Sequence, residues 1–296
     1  LSSFYNDNRI PNHGFDAITK ELQLLRIENT YLETHSLKKI ISISLTANEI
    51  VKFLNKFEEY YPNLNRFSKR VEVTTAIVEK IDSVVDRFGD VKDNASTLLQ
   101  EIRQTINKLK GKINSSFSSA LNQYHNLDYL DDIRESVVEN KRVLAVKAMY
   151  RRKVKGAIMG GSKTGSIVYI EPETTLQYSR ELNNLQYEEG EEVVRILKEV
   201  TNFLREFLPL ITQYQKFLID IDVISAKAKY ARSMDGILPE ISENRELFLR
   251  DAYHPLLYLS NKEKKEKTFP QTITLNNDKR IIVISGPNAG GKSITL

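Results

Sequence analysis

The residues best suited to chemistry stand at the end of the chain. Gly286-Pro287-Asn288-Ala289-Gly290-Gly291-Lys292-Ser293 is a full match to GxxxxGK[ST], and it directly follows the apolar run Ile281–Ile284. Glycines at this spacing let successive backbone N–H groups curl inward onto phosphate oxygens. The helix expected to start near Lys292 adds the positive end of its dipole. In this arrangement Lys292 reaches the β and γ phosphates of ATP, the Ser293 hydroxyl ligates Mg2+, and Asn288, Gly290 and Gly291 form the cradle with Gly286, Pro287 and Ala289. An apolar strand before the loop is what the mechanism requires, and this separates the motif from a chance glycine-rich turn. Only Ile294-Thr295-Leu296 follow. The carboxylate that completes the magnesium shell and orients water is expected well downstream. No catalytic residue is therefore assigned, and the chain by itself is not expected to hydrolyse ATP. Its first residue is Leu rather than Met, and the sequence reads as a piece of a longer protein.

A second constellation is basic. Lys141, Arg142, Lys147, Arg151, Arg152, Lys153, Lys155 and Lys163 fall within residues 141–165 with no acidic residue among them. Lys147, Arg151, Arg152, Lys153, Lys155 and Lys163 could neutralise nucleic-acid phosphates by counterion release, a binding mode blind to sequence and sensitive to salt. The same charges could instead pair with the acidic stretch Glu188-Glu189-Gly190-Glu191-Glu192. Alternation along the strands is too imperfect to put every cation on one face, so both readings stand. His254-Pro255 reads as a packed turn rather than a general base. Phe57, in Phe57-Glu58-Glu59, belongs to a helical apolar stripe and so to the core.

These groups must be positioned by a mainly α protein with a small β ribbon. Apolar residues return at helical intervals from Phe15 to Tyr60, predicting two or three helices, and again from Val71 to Phe88. Asp93-Asn94-Ala95-Ser96 offers N-cap chemistry for a long helix to about Tyr124, with Leu98, Leu99, Ile102, Ile106 and Leu109 on one stripe. Beyond Asn140 the texture changes: Val143–Val146, Gly156–Met159 and Ile167–Ile170 are short strand-like runs separated by Gly160-Gly161 and Thr164-Gly165. A long amphipathic helix is predicted from Leu176 to Leu208, with Pro209 kinking it or opening the next helix, which runs through Met234. Strands are predicted at Leu247–Leu249, Ile273–Leu275 and Ile281–Ile284, and the charge run Asn261–Lys267 reads as a solvated loop.

Composition sets the outer limits. Hydrophobic residues make up 41% and charged residues 28%, which suits a folded multi-domain chain, and no apolar run approaches the ~18–20 residues needed to cross a bilayer. No membrane partner is expected. There is no cysteine, so disulfides and thiolate metal sites are excluded. With no signal-peptide pattern at the start, a cytoplasmic location is favoured. The net charge of +4 says little about partners in a chain of 296 residues.

Gly-Pro-Asn-x-Gly-Gly-Lys-Ser is the particular phosphate loop of the MutS family, and Tyr253-His254-Pro255-Leu256-Leu257 is similar to that family's Arg-His-Pro-Leu-Leu element. Asp222–Ala231 resembles the helix that precedes it. Gly165–Pro172, with Val143–Tyr150 before it, resembles the second bacterial branch, which suppresses recombination and lacks the amino-terminal mismatch-recognition domain. The chain departs from the family at Tyr253, where Arg is usual, and at Phe269-Pro270-Gln271-Thr272, where an apolar residue precedes Pro-Asn-Asp. Phe269 and Pro270 still suit an adenine ring.

The resemblance implies a dimer of composite ATPases that uses ATP and Mg2+. It further implies a helical core and long lever helices that close on mismatched or branched DNA, in repair or suppression of recombination. On that reading residues 1–140 are helical core and lever, 141–175 the ribbon, 176–245 lever helices returning to the core, and 246–296 the start of a P-loop ATPase domain. A small nuclease domain further on is known from this branch. The alternative is a non-catalytic nucleic-acid or ribosome-binding assembly module in which ATP is only a conformational ligand.

Overall fold

The computed structural model describes residues 9–287 and Gly291. The described residues form eight α-helices, a four-stranded antiparallel sheet and a separate two-stranded one. This is the mainly α architecture with a small β part that periodicity predicts.

The first core is helical. α1 (Thr19–Leu25) and α2 (Thr34–Lys56) account for the periodic stretch from Phe15 to Tyr60. α2 buries Leu37, Ile40, Ile43, Ala47, Ile50 and Leu54, a stripe at the three-and-four spacing of one helix face. Phe57 packs against this core beside Phe53, their ring centroids 4.8 Å apart, in line with a core role. Pro62, at the first position of α3 (Pro62–Ser68), starts a helix where its missing N–H costs nothing. α7 (Leu208–Ser233) lays Ile211, Tyr214, Phe217, Leu218 and Ile221 into the same core, and Pro209 sits in its first turn. Tyr214 Oη donates to the Glu72 carbonyl at 2.9 Å and lies 3.1 Å from Asn48 Oδ1, while Asn48 Nδ2 donates to the Thr74 carbonyl at 2.7 Å. Burial raises the Tyr214 pKa, so its hydroxyl keeps its proton.

The helix expected over residues 71–88 is cut to α4 (Ala76–Asp82). The Asp86 carboxylate accepts the N–H groups of Phe88, Gly89 and Asp90 at 2.8, 2.8 and 2.9 Å, an alternative to helix for these donors. Gly89, at φ 99°, completes the turn, and Val85 bridges to Val91.

Two long antiparallel helices lead away from this core. α5 (Thr97–Asn126) begins where the capping pattern places it: Ser96 is extended and its Oγ accepts the Leu99 N–H at 3.0 Å. At ~1.5 Å per residue its 30 residues span about 45 Å. α6 (Glu173–Glu206) runs beside it; Ile196, Leu197, Val200 and Leu204 join the first core, while Thr175 and Ser179 are buried near the sheet.

The sheet has the order β1-β2-β4-β3, from β1 (Leu130–Val138), β2 (Lys141–Lys147), β3 (Gly156–Gly161) and β4 (Ile167–Pro172). β1 precedes the texture change read at Asn140, because Asp131, Asp132, Arg134 and Glu135 disguise a strand of which only Leu130 is buried. Glu139 and Asn140, at φ 49° and 63°, form the two-residue hairpin turn that closes β1 on β2. Leu144, Val146 and Ile170 face Phe117 of α5 in a second small core.

β5 (Leu247–Ala252) and β6 (Gln271–Leu275) pair with each other, with α8 (Pro255–Lys264) between them. The charge run is therefore not a loop throughout: Asn261–Lys264 form the last turn of α8. Lys265, left-handed at φ 58°, then lets the Glu266 N–H return to the Asn261 carbonyl at 2.8 Å. Ile281–Ile284 adopts no strand. A strand needs a neighbour to share its ladder, and no described strand pairs with this stretch, which leaves Ile281 and Val283 each 84% exposed.

Candidate nucleotide pocket and basic crossover

β5 delivers the chain to Tyr253-His254-Pro255. His254 is extended and is the N-cap of α8, its Nδ1 accepting the Leu257 N–H at 3.3 Å, with Pro255 at the first helical position. The ring is thereby committed to a cap, as expected of a packed His-Pro turn. A cavity of about 510 Å3 opens beside it, lined among others by Leu249, Tyr253, His254, Phe269, Ile273 and Gly291. That volume falls in the ~300–1,000 Å3 range of small-molecule sites.

One glycine of the phosphate motif thus shares a cavity with the aromatic residue picked out for an adenine ring. Gly291 has φ 76° and Gly286 φ 152°, backbone that side chains rarely adopt. A methyl group built on either would meet no atom of the described residues within 4 Å, so these glycines serve backbone conformation rather than clearance. Phe269 is 73% exposed, with the Lys267 ammonium 5.0 Å from its ring centroid. Asn288, Ala289, Gly290, Lys292 and Ser293 lie outside the described residues.

The chain just past α7 is tied to α8, which lines one side of this pocket, by residues that motif reading misses. Asp235 Oδ2 accepts from Lys262 Nζ at 2.7 Å and from Tyr258 Oη at 2.8 Å, both on α8. The Lys262 bond, then the Tyr258 bond, holds the Asp235 carboxyl below its usual range. The signal available in the sequence was Lys262 inside the charge run.

The basic residues separate into paired and unpaired. Lys147 Nζ bonds Asp128 Oδ1 at 2.9 Å, which lowers the aspartate's pKa and raises the lysine's. Lys141 pairs with buried Glu171 at 3.1 Å and Arg142 with Glu135 at 2.6 Å. Arg151, Arg152, Lys153, Lys155 and Lys163 are exposed and make no ion pair among the described residues. Residues 148–155 cross from the Lys147 end of the sheet to the Pro172 end, because Ala148 bonds Ser166 whereas the Lys155 carbonyl accepts the Glu173 N–H. Lys155 and Lys163 therefore sit at opposite ends. Lys153 lies 5.9 Å from the Tyr129 ring, itself stacked on Tyr150 with centroids 4.6 Å apart.

The acidic stretch of α6 does not serve these cations. Glu189 is taken by Arg103 of α5 at 2.7 Å, and Glu192 by Ser96 at 2.6 Å and Arg195 at 2.8 Å. Helix packing sets this outcome, since α5 lies alongside α6 and the crossover does not. The Arg195 hydrogen bond, opposed by burial and aided by Ser96, lowers the Glu192 pKa to about 2. Among the described residues no group of His, Cys, Asp and Glu could hold a metal ion, and no helix is long and apolar enough to cross a membrane.

No protein-family profile matches the chain. Curated relatives do: Endonuclease MutS2 of Staphylococcus epidermidis is 29% identical over 301 residues, covering 100% of this chain. The protein of the same name from Staphylococcus aureus is 28% identical over 304 residues and 100% of the chain. That from Caldicellulosiruptor bescii is 29% identical over 287 residues and 97% of the chain. The chain spans 38% of the length of the two staphylococcal relatives and 36% of the third. With similarity to proteins named MutS2 running from end to end of the chain, these relatives support a MutS2-type member of the MutS family.

Proposed function

We propose that this protein is an ATP-dependent DNA-binding protein of the MutS type, in which the nucleotide state of the phosphate loop moves the long helices against DNA. The observation that carries this reading is the convergence of Gly291, His254 and Phe269 on one cavity of about 510 Å3. The positive-φ glycines suit a phosphate cradle, and Phe269 on the rim offers a ring face to a base. Lys292 is the phosphate contact and Ser293 the magnesium ligand. ATP bound there supplies binding energy that differs between conformations, and in the whole protein a phosphoanhydride bond to hydrolyse.

The Asp235–Lys262 link gives α7 a direct mechanical connection to α8 beside the pocket. At the other end, Arg151, Arg152, Lys153, Lys155 and Lys163 offer exposed cations to a phosphate backbone. The preferred DNA is mismatched or branched, and the working unit of the whole protein is a homodimer. Ribosomal RNA would meet the same cations, so a ribosome competitor belongs in the assay.

The test is Lys292→Ala in the whole protein, followed by nucleotide binding and by the rate at which ATP releases a labelled four-way junction. Loss of both is expected. Normal ATP binding and hydrolysis by the variant would end this reading.

A further inference from the structure

Along the α5–α6 pair lies an open trough of about 830 Å3, lined by none of the residues of the nucleotide pocket. Its lining includes Lys108, Gly111, Lys112, Ser115 and Ser119 of α5 and Tyr178 of α6, and no carboxylate. Neither Lys108 nor Lys112 makes an ion pair among the described residues; Lys112 Nζ stands 5.8 Å from the Tyr178 ring centroid. Unneutralised ammonium groups interleaved with hydroxyl donors are the chemistry that holds phosphate oxygens without reading bases.

Gly111 adds an independent observation. Glycine is costly inside a helix, and a methyl group built on Gly111 would meet no atom of the described residues within 4 Å. No neighbour in the fold requires its small size. What its absent side chain does is leave the floor of the trough bare between the two lysines, where an external chain can approach the backbone closely.

The trough is long as well as open. Lys108 and Ser119 are separated by about 16 Å of helix axis at ~1.5 Å per residue. That length is more than a small anion needs and suits a stretch of sugar–phosphate backbone. Its α6 side includes Thr174, next to Glu173, whose N–H is bonded by the Lys155 carbonyl at 3.1 Å. The trough therefore leads towards the unpaired cations of the crossover.

We infer that the α5–α6 trough is a second DNA-backbone site, in which Lys108 and Lys112 neutralise phosphates of a strand continuing onto the crossover. The inference rests on DNA being the partner proposed above.

The experiment measures binding of the full chain to a labelled DNA duplex by fluorescence anisotropy across a salt series. The variants are Lys108→Gln with Lys112→Gln, Gly111→Gln, and Arg151→Gln with Arg152→Gln. The double lysine variant is expected to lose about tenfold in affinity at low salt and to flatten the log–log salt slope by about 2. Gly111→Gln is expected to weaken binding several-fold while raising the thermal midpoint, which a merely structural role would not produce. Unchanged affinity and slope in both trough variants, with loss only in the crossover variant, would overturn the trough and leave DNA as partner intact. No binding by the unaltered chain at low salt would overturn the DNA reading and the trough together. Displacement of DNA by inorganic phosphate, but not by chloride of equal ionic strength, would mark a small-anion pocket and also overturn the proposal.

Discussion

The Ser96 hydroxyl lies 2.6 Å from Glu192 Oε1 while the same oxygen caps α5 by accepting the Leu99 N–H at 3.0 Å. One side chain thus starts α5 and ties it to α6. Ser96→Ala removes the cap and one of the bonds to a carboxylate that is only 4% exposed. The expected loss is about 1–2 kcal/mol in urea unfolding. A variant within experimental error of the unaltered protein would show that the α5–α6 junction does not need this bond.

Glu192 also makes that junction sensitive to acid. Its pKa is lowered from 4.5 to about 2, so the ionised form is favoured in the folded state. The stabilisation is present in full above about pH 4.5 and is lost as pH falls towards 2. Stability measured between pH 6 and 2 should drop more steeply for the unaltered protein than for Glu192→Gln. Parallel profiles would remove Glu192 as the titrating group.

Tyr214 joins α7 to α2 and to the segment before α4 through Asn48 and the Glu72 carbonyl. Tyr214→Phe keeps the ring in the core but leaves these acceptors short of a donor. A cost of about 1–3 kcal/mol is expected, read as a lower denaturation midpoint with an unchanged m-value.

Asp235 holds α8 through two exposed contacts, so Asp235→Asn should leave global stability nearly unchanged. Amide exchange within residues 255–264 should nevertheless quicken. In the whole protein, ATP should then release DNA less effectively. If both exchange and release match the unaltered protein, α7 does not communicate through this carboxylate.

Gly156 opens β3 at φ 156°, and a methyl group there would overlap the Glu171 carbonyl and stand 2.8 Å from Ile170 Cγ2. Gly156→Ala should therefore part β3 from β4 at a cost of about 1–3 kcal/mol. Gly160→Ala is the useful comparison, because its φ of 146° is equally demanding but its methyl would meet nothing. The difference between the two variants measures the close approach alone.

Much of this protein was legible from short stretches of sequence. The phosphate motif is continuous, Ser96 announces α5, Pro209 opens α7, and the β-branched runs mark β2 and β4, since each is decided by neighbours within a turn or a strand. β1 was hidden because its residues are mostly solvated and only pairing with β2 makes them a strand. Ile281–Ile284 shows the converse: an apolar run has strand propensity, but a ladder requires a partner. The helix predicted over residues 71–88 is shortened to α4, and at its carboxy-terminal side Asp86 offers three N–H groups another acceptor.

The sequence by itself carried the resemblance to MutS2-type proteins, the phosphate-loop motif and the order of the long helices, for these are local patterns. Tertiary structure alone decided which cations remain free, by giving Lys147 to Asp128, and Glu189 and Glu192 of α6 to Arg103, Ser96 and Arg195. It also placed Gly291 with Phe269, Asp235 with Lys262, and Lys112 with Tyr178. The physical reason is that charge and aromatic contacts are made by whichever groups packing brings within a few ångströms, and chain spacing carries no such distance.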